Sequence, residues 1–157
     1  FLEALHKSRE LDLPEATASS LGHLGRIALL QGRFRAALSS FGEALAILED
    51  LGDVRGQAEF TLAEAETRLA MGELGLAKAR LDAAQRLLAG EGNREQKAEL
   101  LRLRAEHLRR SGDRGAARNA AARAVKEAEA SGAVVARART RFASLMQTPT
   151  WMPPASR

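Results

Sequence analysis

The chain has 157 residues, 45% hydrophobic and 28% charged, which supplies enough apolar material for one globular domain and excludes a disordered tract. It has no cysteine, which excludes disulfides and thiolate metal sites, and no apolar run near the ~20 residues that span a bilayer. The net charge of +4 is split: residues 1–93 carry 10 Lys and Arg against 14 Asp and Glu, whereas residues 94–157 carry 14 against 6. Aromatics make up only 4%, Tyr is absent and alanine is abundant, so close-packed helices are expected rather than a sheet. No signal-peptide pattern opens the chain, and the lack of cysteine fits a reducing, cytoplasmic setting.

Eight helices are predicted, at 1–12, 17–31, 34–50, 54–71, 74–89, 94–111, 114–131 and 133–146. In the second, Leu21, Leu24 and Ala28 recur at helical spacing; in the third, Phe34, Leu38, Phe41, Leu45 and Leu48 do the same. The fourth is the weak member. It has Thr61, Glu64 and Arg68 in the register of Leu21, Leu24 and Ala28, so its packing is expected to be rotated or its neighbours to differ, with Phe60, Leu62 and Leu69 compensating in part. The turns "MGEL" and "SGDR" follow, each placing an acid, Glu73 or Asp113, at the start of the next helix, where it suits the dipole. The tail 148–157 cannot continue a helix because of Pro149, Pro153 and Pro154; it is expected either to be flexible or to pack Trp151 and Met152 as a cap on the last helix or in a neighbouring molecule's groove.

A period of 40 runs through these elements. Gly32, Gly72 and Gly112 form one column and Gly52, Gly92 and Gly132 a second; between them recur Ala37, Ala77 and Ala117, then Ala44, Ala84 and Ala124, with Gly25, Ala65 and Ala105 ahead of them. A glycine after a helical segment accepts the left-handed backbone that ends a helix, so two glycine columns mark two helix ends per repeat, and the unit is a helical hairpin. The small residues inside the helices let neighbours approach to the short end of the ~8–10 Å interaxial range.

These columns resemble the tetratricopeptide repeat (TPR) family, on Leu21, Leu24-Gly25, Ala28, Gly32, Phe34, Ala37, Phe41 and Ala44 in the first repeat. Ala65, Gly72, Leu74, Ala77, Leu81 and Ala84 carry it in the second, and Ala105, Leu108, Gly112, Ala117 and Ala124 in the third. Arg114 and Ala121 stand where the aromatics stood, and the family's usual period of about 34 is exceeded. The long period is similar to that of Leu-Gly-Asn polarity adaptors and the C-terminal sensor arrays of bacterial signalling ATPases. The resemblance implies an all-α, right-handed α-solenoid of antiparallel hairpins over residues 1–147. Its repeats would fall at about 17–52, 54–92 and 94–132, with partial repeats at 1–12 and 133–146. Phe1 and Ala4 precede Phe41 and Ala44 by one period, so an excised piece of a longer array is expected, its first helix left with an apolar flank open to self-association.

No catalytic, cofactor-binding or metal-binding residue is nominated. His6, His23 and His107 have no ligand spacing, the glycines form no phosphate loop, "GEGN" at 90–93 has no preceding strand, and Ser39 and Ser40 have no base at a recognisable motif. By the resemblance, the first helix of each repeat lines a concave face, at Ser19, Gly22, Arg26 and Leu29, then Glu59, Leu62, Glu66 and Leu69, then Glu99, Arg102, Glu106 and Arg109. The partner-binding assignment rests on Arg26, Leu29, Leu62, Glu66, Leu69, Arg102, Glu106 and Arg109, with leucines for apolar side chains and arginines for carboxylates. The alternative makes Leu62 and Leu69 core residues and pairs Glu99 with Arg102, and Glu106 with Arg109 or Arg110. The columns lack the Lys/Asn/Arg set by which chaperone-tail binders of the family hold a carboxylate, which argues against that ligand.

The expected role is therefore a protein- or peptide-binding module of a larger signalling or regulatory protein. The excess of Arg over Lys, 20 to 4, hints at a GC-rich, bacterial genome. A competing reading takes Arg118, Arg123, Lys126, Arg137, Arg139 and Arg141 as a stripe for nucleic acid or another acidic partner, with only Phe142 and Trp151 to stack on bases.

Overall fold

The computed structural model describes residues 1–90 and 93–132. Those residues form seven helices and no strand: α1 (Leu2–Glu10), α2 (Pro14–Leu30), α3 (Phe34–Asp50), α4 (Val54–Ala70), α5 (Leu74–Leu87), α6 (Arg94–Arg110) and α7 (Arg114–Ser131). The expected helix 133–146 and the tail 148–157 lie outside the described residues.

The 40-residue period divides into two half-periods of 20. Left-handed residues stand at Asp12, Gly32, Gly52, Gly72, Gly112 and Gly132. At Gly32 the backbone N–H bonds Leu29 O at 3.0 Å and the Arg33 N–H bonds Ala28 O at 2.9 Å, which ties off two end carbonyls of α2. The same pair of bonds recurs at Gly52, Gly72 and Gly112. Asp12, one period before Gly52, holds φ 50° without being glycine, so the repeat extends one turn further towards the start than the glycine columns alone reveal.

Helix starts are chemically mixed. Asp53, Asn93 and Asp113 accept hydrogen bonds from the backbone N–H groups of Gly56, Glu95 and Ala116 at 3.0, 2.9 and 2.9 Å. Glu73 does not cap α5; its carboxylate meets Arg68 Nη1 at 2.9 Å instead. α2 begins at Pro14 rather than 17, because proline's fixed φ suits the first helical position and its missing N–H costs nothing there.

The small-residue columns sit where helices cross. A Cβ on Gly25 would stand 2.5 Å from a ring carbon of Phe41, and one on Gly22 would collide with Cζ of Phe60. Ala37, Ala77 and Ala117, Ala44, Ala84 and Ala124, and Ala65 and Ala105 are all buried. Two apolar clusters result: α2 and α3 with Phe60 and Ala63 of α4, and α4 with α5 and the Leu100 and Leu103 side of α6. Every buried residue of α7 is alanine.

α4 is not rotated. Ala65 stays buried in the column of Gly25 and Ala105, and Thr61 is buried as Leu21 is. The difference is in its neighbours: α4 touches α2, α3, α5 and α6, so it buries residues nearly all round, including Phe60, Leu62, Thr67 and Leu69. Glu64 is buried too, with Arg80 Nε 2.8 Å from its Oε2 at an angle too poor for a hydrogen bond.

Each helix packs on its neighbours in sequence, and α2 meets α4 and α4 meets α6 directly; α3, α5 and α7 do not meet one another. At the other end, Phe1 and Ala4 are exposed although Phe41 and Ala44 are buried, and the Phe1 ring rests on His23 with centroids 4.8 Å apart. No helix of the described residues is long and apolar enough to cross a membrane.

Candidate functional site

α2 touches α4 and α4 touches α6, and three depressions between these helices meet at Arg26. The first, about 180 Å³, lies between α4 and α6 and is walled by Arg55, Glu59, Glu66, Glu95, Gln96 and Glu99 over Leu62 and Ala63. The second, about 410 Å³, lies between α2 and α4, with Glu15, His23, Asp53 and Glu59 around Gly22 and Phe60. The third, about 560 Å³, is lined by Leu29, Leu30, Leu69 and Leu103 together with Arg102, Arg110, Glu66 and Glu106. Acids gather towards the helix N-termini and guanidiniums towards the C-termini, as the helix dipoles favour.

Seven of the eight residues assigned from the sequence line these depressions: Arg26, Leu29, Leu62, Glu66, Leu69, Arg102 and Glu106. Arg109 lines none of the three. Leu62 and Leu69 are 4% and 2% exposed, so they belong to the α4–α6 core and show only an edge to the groove. Leu29 is half-buried against the α2–α3 core.

The charges are paired, in part as the helical spacing allows. Arg102 grips Glu99 with two bonds, Nε to Oε2 at 2.8 Å and Nη2 to Oε1 at 2.6 Å. Arg109 grips Glu106 likewise, at 2.8 and 2.7 Å, and Arg110 shares that carboxylate. Other pairs cross between helices and have no signature in local spacing: Arg26 Nη2 meets Glu59 Oε1 at 2.7 Å, Arg102 Nη2 meets Glu66 Oε1 at 2.7 Å, and Arg110 donates to the Leu69 carbonyl.

Burial alone would lower the Arg102 guanidinium pKa, but the Glu99 hydrogen bond and the charges of Glu99 and Glu66 outweigh it and hold the pKa above its ordinary value. The Arg109 hydrogen bond pulls the Glu106 carboxyl below the usual carboxylate range; burial opposes this, and Arg110 adds to the lowering. These arginines are fixed charges with spare N–H donors rather than free cations. Arg26 spends one of its five N–H groups on Glu59 and stands at the meeting point of the depressions.

Leu30 is a groove residue that the repeat register does not nominate. It is 88% exposed at the end of α2, on the rim of the third depression, where its register partners are Ala70 and Arg110. The sequence does hold a signal for it: a large apolar residue at a position that is small or charged in the other repeats has no core to fill.

The histidines have local partners: His6 meets Glu10 at 3.1 Å, His23 meets the Phe1 ring, and His107 Nε2 lies 3.1 Å from Leu74 O. No group of three His, Asp or Glu side chains among the described residues has the geometry to hold a metal ion. Arg118, Arg123 and Lys126 are exposed on α7, but at ~100° per residue they spread over ~140° of the helix instead of lining up. Arg137, Arg139, Arg141, Phe142 and Trp151 lie outside the described residues. The chain matches no protein-family model and no curated protein.

Proposed function

We propose that this chain is a TPR-like repeat domain, a right-handed α-solenoid of hairpins, that binds a protein or peptide along the face of α2, α4 and α6. The 20-residue spacing of left-handed helix ends and the serial contact of the even-numbered helices support the repeat architecture. The observation that carries the binding role is Leu30: a leucine 88% exposed, lining one depression with Leu29, Leu69 and Leu103 and with the guanidiniums of Arg26, Arg102 and Arg110. An exposed apolar spot rimmed by charge is the arrangement that buries a partner's side chain while polar groups orient it. The partner is read as a segment that lays an apolar side chain on Leu29 and Leu30 and runs towards Arg26.

Selecting peptides from a displayed library against the chain tests this. Binders should lose about tenfold or more in affinity to Leu30→Glu and to Arg26→Ala, each of which stays helical by circular dichroism. Binders indifferent to both substitutions would contradict the assignment.

A further inference from the structure

The two junctions between successive hairpins are built differently. At the first, α4 is fixed to α2 and α3 by the Phe60 ring, which rests on the backbone of Gly22 and stacks on Phe41 with centroids 6.0 Å apart. Two polar bonds accompany it: Arg26 to Glu59 at 2.7 Å and Gln57 Nε2 to Leu48 O at 3.0 Å. At the second, Leu100 and Leu103 pack on α4 and α5, but five α6 side chains also reach back across the junction. Gln96 donates to Arg55 O at 2.9 Å, Arg102 to Glu66 at 2.7 Å and Arg104 to Asp82 at 2.8 Å; His107 lies against Leu74 O and Arg110 donates to Leu69 O. Three of the five are guanidiniums.

Those charged contacts are open to counterions. The two ion pairs among them, Arg102 with Glu66 and Arg104 with Asp82, have side chains 16% and 35%, and 32% and 38%, exposed, while the Arg110 guanidinium, 36% exposed, bonds a neutral carbonyl. Salt weakens partly exposed ion pairs and leaves apolar burial intact. The first junction has a ring seated on a glycine and one ion pair, whereas the second has Leu100 and Leu103 with two ion pairs and a further guanidinium bond.

We infer that the α5–α6 junction is a salt-sensitive hinge, at which α6 and α7 detach together from α4 and α5 while α2 to α4 stay joined. α6 and α7 move as one because alanine columns pack them closely. The hinge has a consequence for the groove, since α4 and α6 form opposing walls of the first and third depressions. Opening the junction pulls those walls apart, and any occupant that touches both favours the closed form. The hinge stands independently of whether the face binds a peptide.

Hydrogen–deuterium exchange of the full chain, without ligand, at ~50 mM and ~500 mM NaCl reads this directly. Amides of α6 and α7 are expected to exchange roughly tenfold faster at the higher salt, and those of α2 and α3 to change by less than about twofold. Equal responses in the two segments would overturn the hinge. The variant Glu66→Leu/Glu99→Leu/Arg102→Met replaces a charged cluster with apolar groups of similar size, an exchange that folds tolerate. Its α6–α7 salt response should fall to about threefold or less, and a response equal to that of the unaltered chain would also overturn the inference.

Discussion

The Cζ end of the Phe60 ring stands where a Cβ on Gly22 would be, leaving no room for a methyl group between α2 and α4. Gly25 receives Phe41 in the same way one turn further along α2. Ordinarily Gly→Ala inside a helix gains up to ~1 kcal/mol. Here the gain is overtaken: Gly22→Ala and Gly25→Ala should each destabilise by roughly 1–3 kcal/mol through forced overpacking. Gly42, inside α3 with open space where a side chain would begin, is the internal control, and Gly42→Ala should stabilise by about 0.5–1 kcal/mol. Urea melts of the three variants check the contrast, which depends on packing alone.

A second prediction concerns the helix ends. Asp12 holds a left-handed φ of 50° where the register elsewhere places glycine. Asp12→Gly should raise stability by about 0.5 kcal/mol by relieving that conformation, and Gly52→Ala should lower it by about 1–2 kcal/mol by imposing it at φ 68°. Thermal unfolding of both variants tests the assignment of Asp12 to the glycine column.

A third prediction follows from two carboxyls, buried Glu64 and half-buried Glu106, whose pKa values move in opposite directions. Burial raises the Glu64 carboxyl, with Arg80 and then Arg68 pulling it back. The folded chain therefore binds that proton more readily than the unfolded chain, and Glu64's contribution to stability improves as pH falls through the carboxylate range. For Glu106 the hydrogen bond from Arg109 lowers the value, so its contribution is present above the ordinary carboxylate pKa and lost as pH falls through the folded one. Between about pH 7 and about pH 4, the stability of the unaltered chain relative to Glu64→Gln should rise on acidification, and relative to Glu106→Gln it should fall. Denaturant midpoints measured across that range would show parallel trends if either sign were wrong.

Much of the fold is written in residue spacing. Glycine and alanine columns are local and periodic, and each small residue has one physical reason to be small, so helix ends and crossing points can be read directly. Asp12 and Pro14 hide from that reading because each performs the expected job with an unexpected residue. α4 departs from it for a different reason: charge at Glu64 and Arg68 suggests a turned helix, whereas a helix with four neighbours buries Glu64, half-buries Arg68 and recruits Arg80 and Glu73 to answer them. The groove is legible only in part. Pairs three or four apart, such as Glu99 with Arg102, follow from helical geometry, but Arg26 with Glu59 and Glu66 with Arg102 depend on how α2, α4 and α6 align. Leu62 and Leu69 satisfy the register of the groove and of the core alike, and only the depth at which α4 sits decides between them.

Locating the binding face does not require a natural partner. A two-dimensional amide NMR titration of the isotope-labelled chain with a peptide selected against it would map contact residue by residue. Shifts concentrated at Arg26, Leu29, Leu30, Glu66 and Arg102 are the expected result. Shifts concentrated on α7, or on the outer sides of α3 and α5, with the even-numbered helices unmoved, would contradict the account.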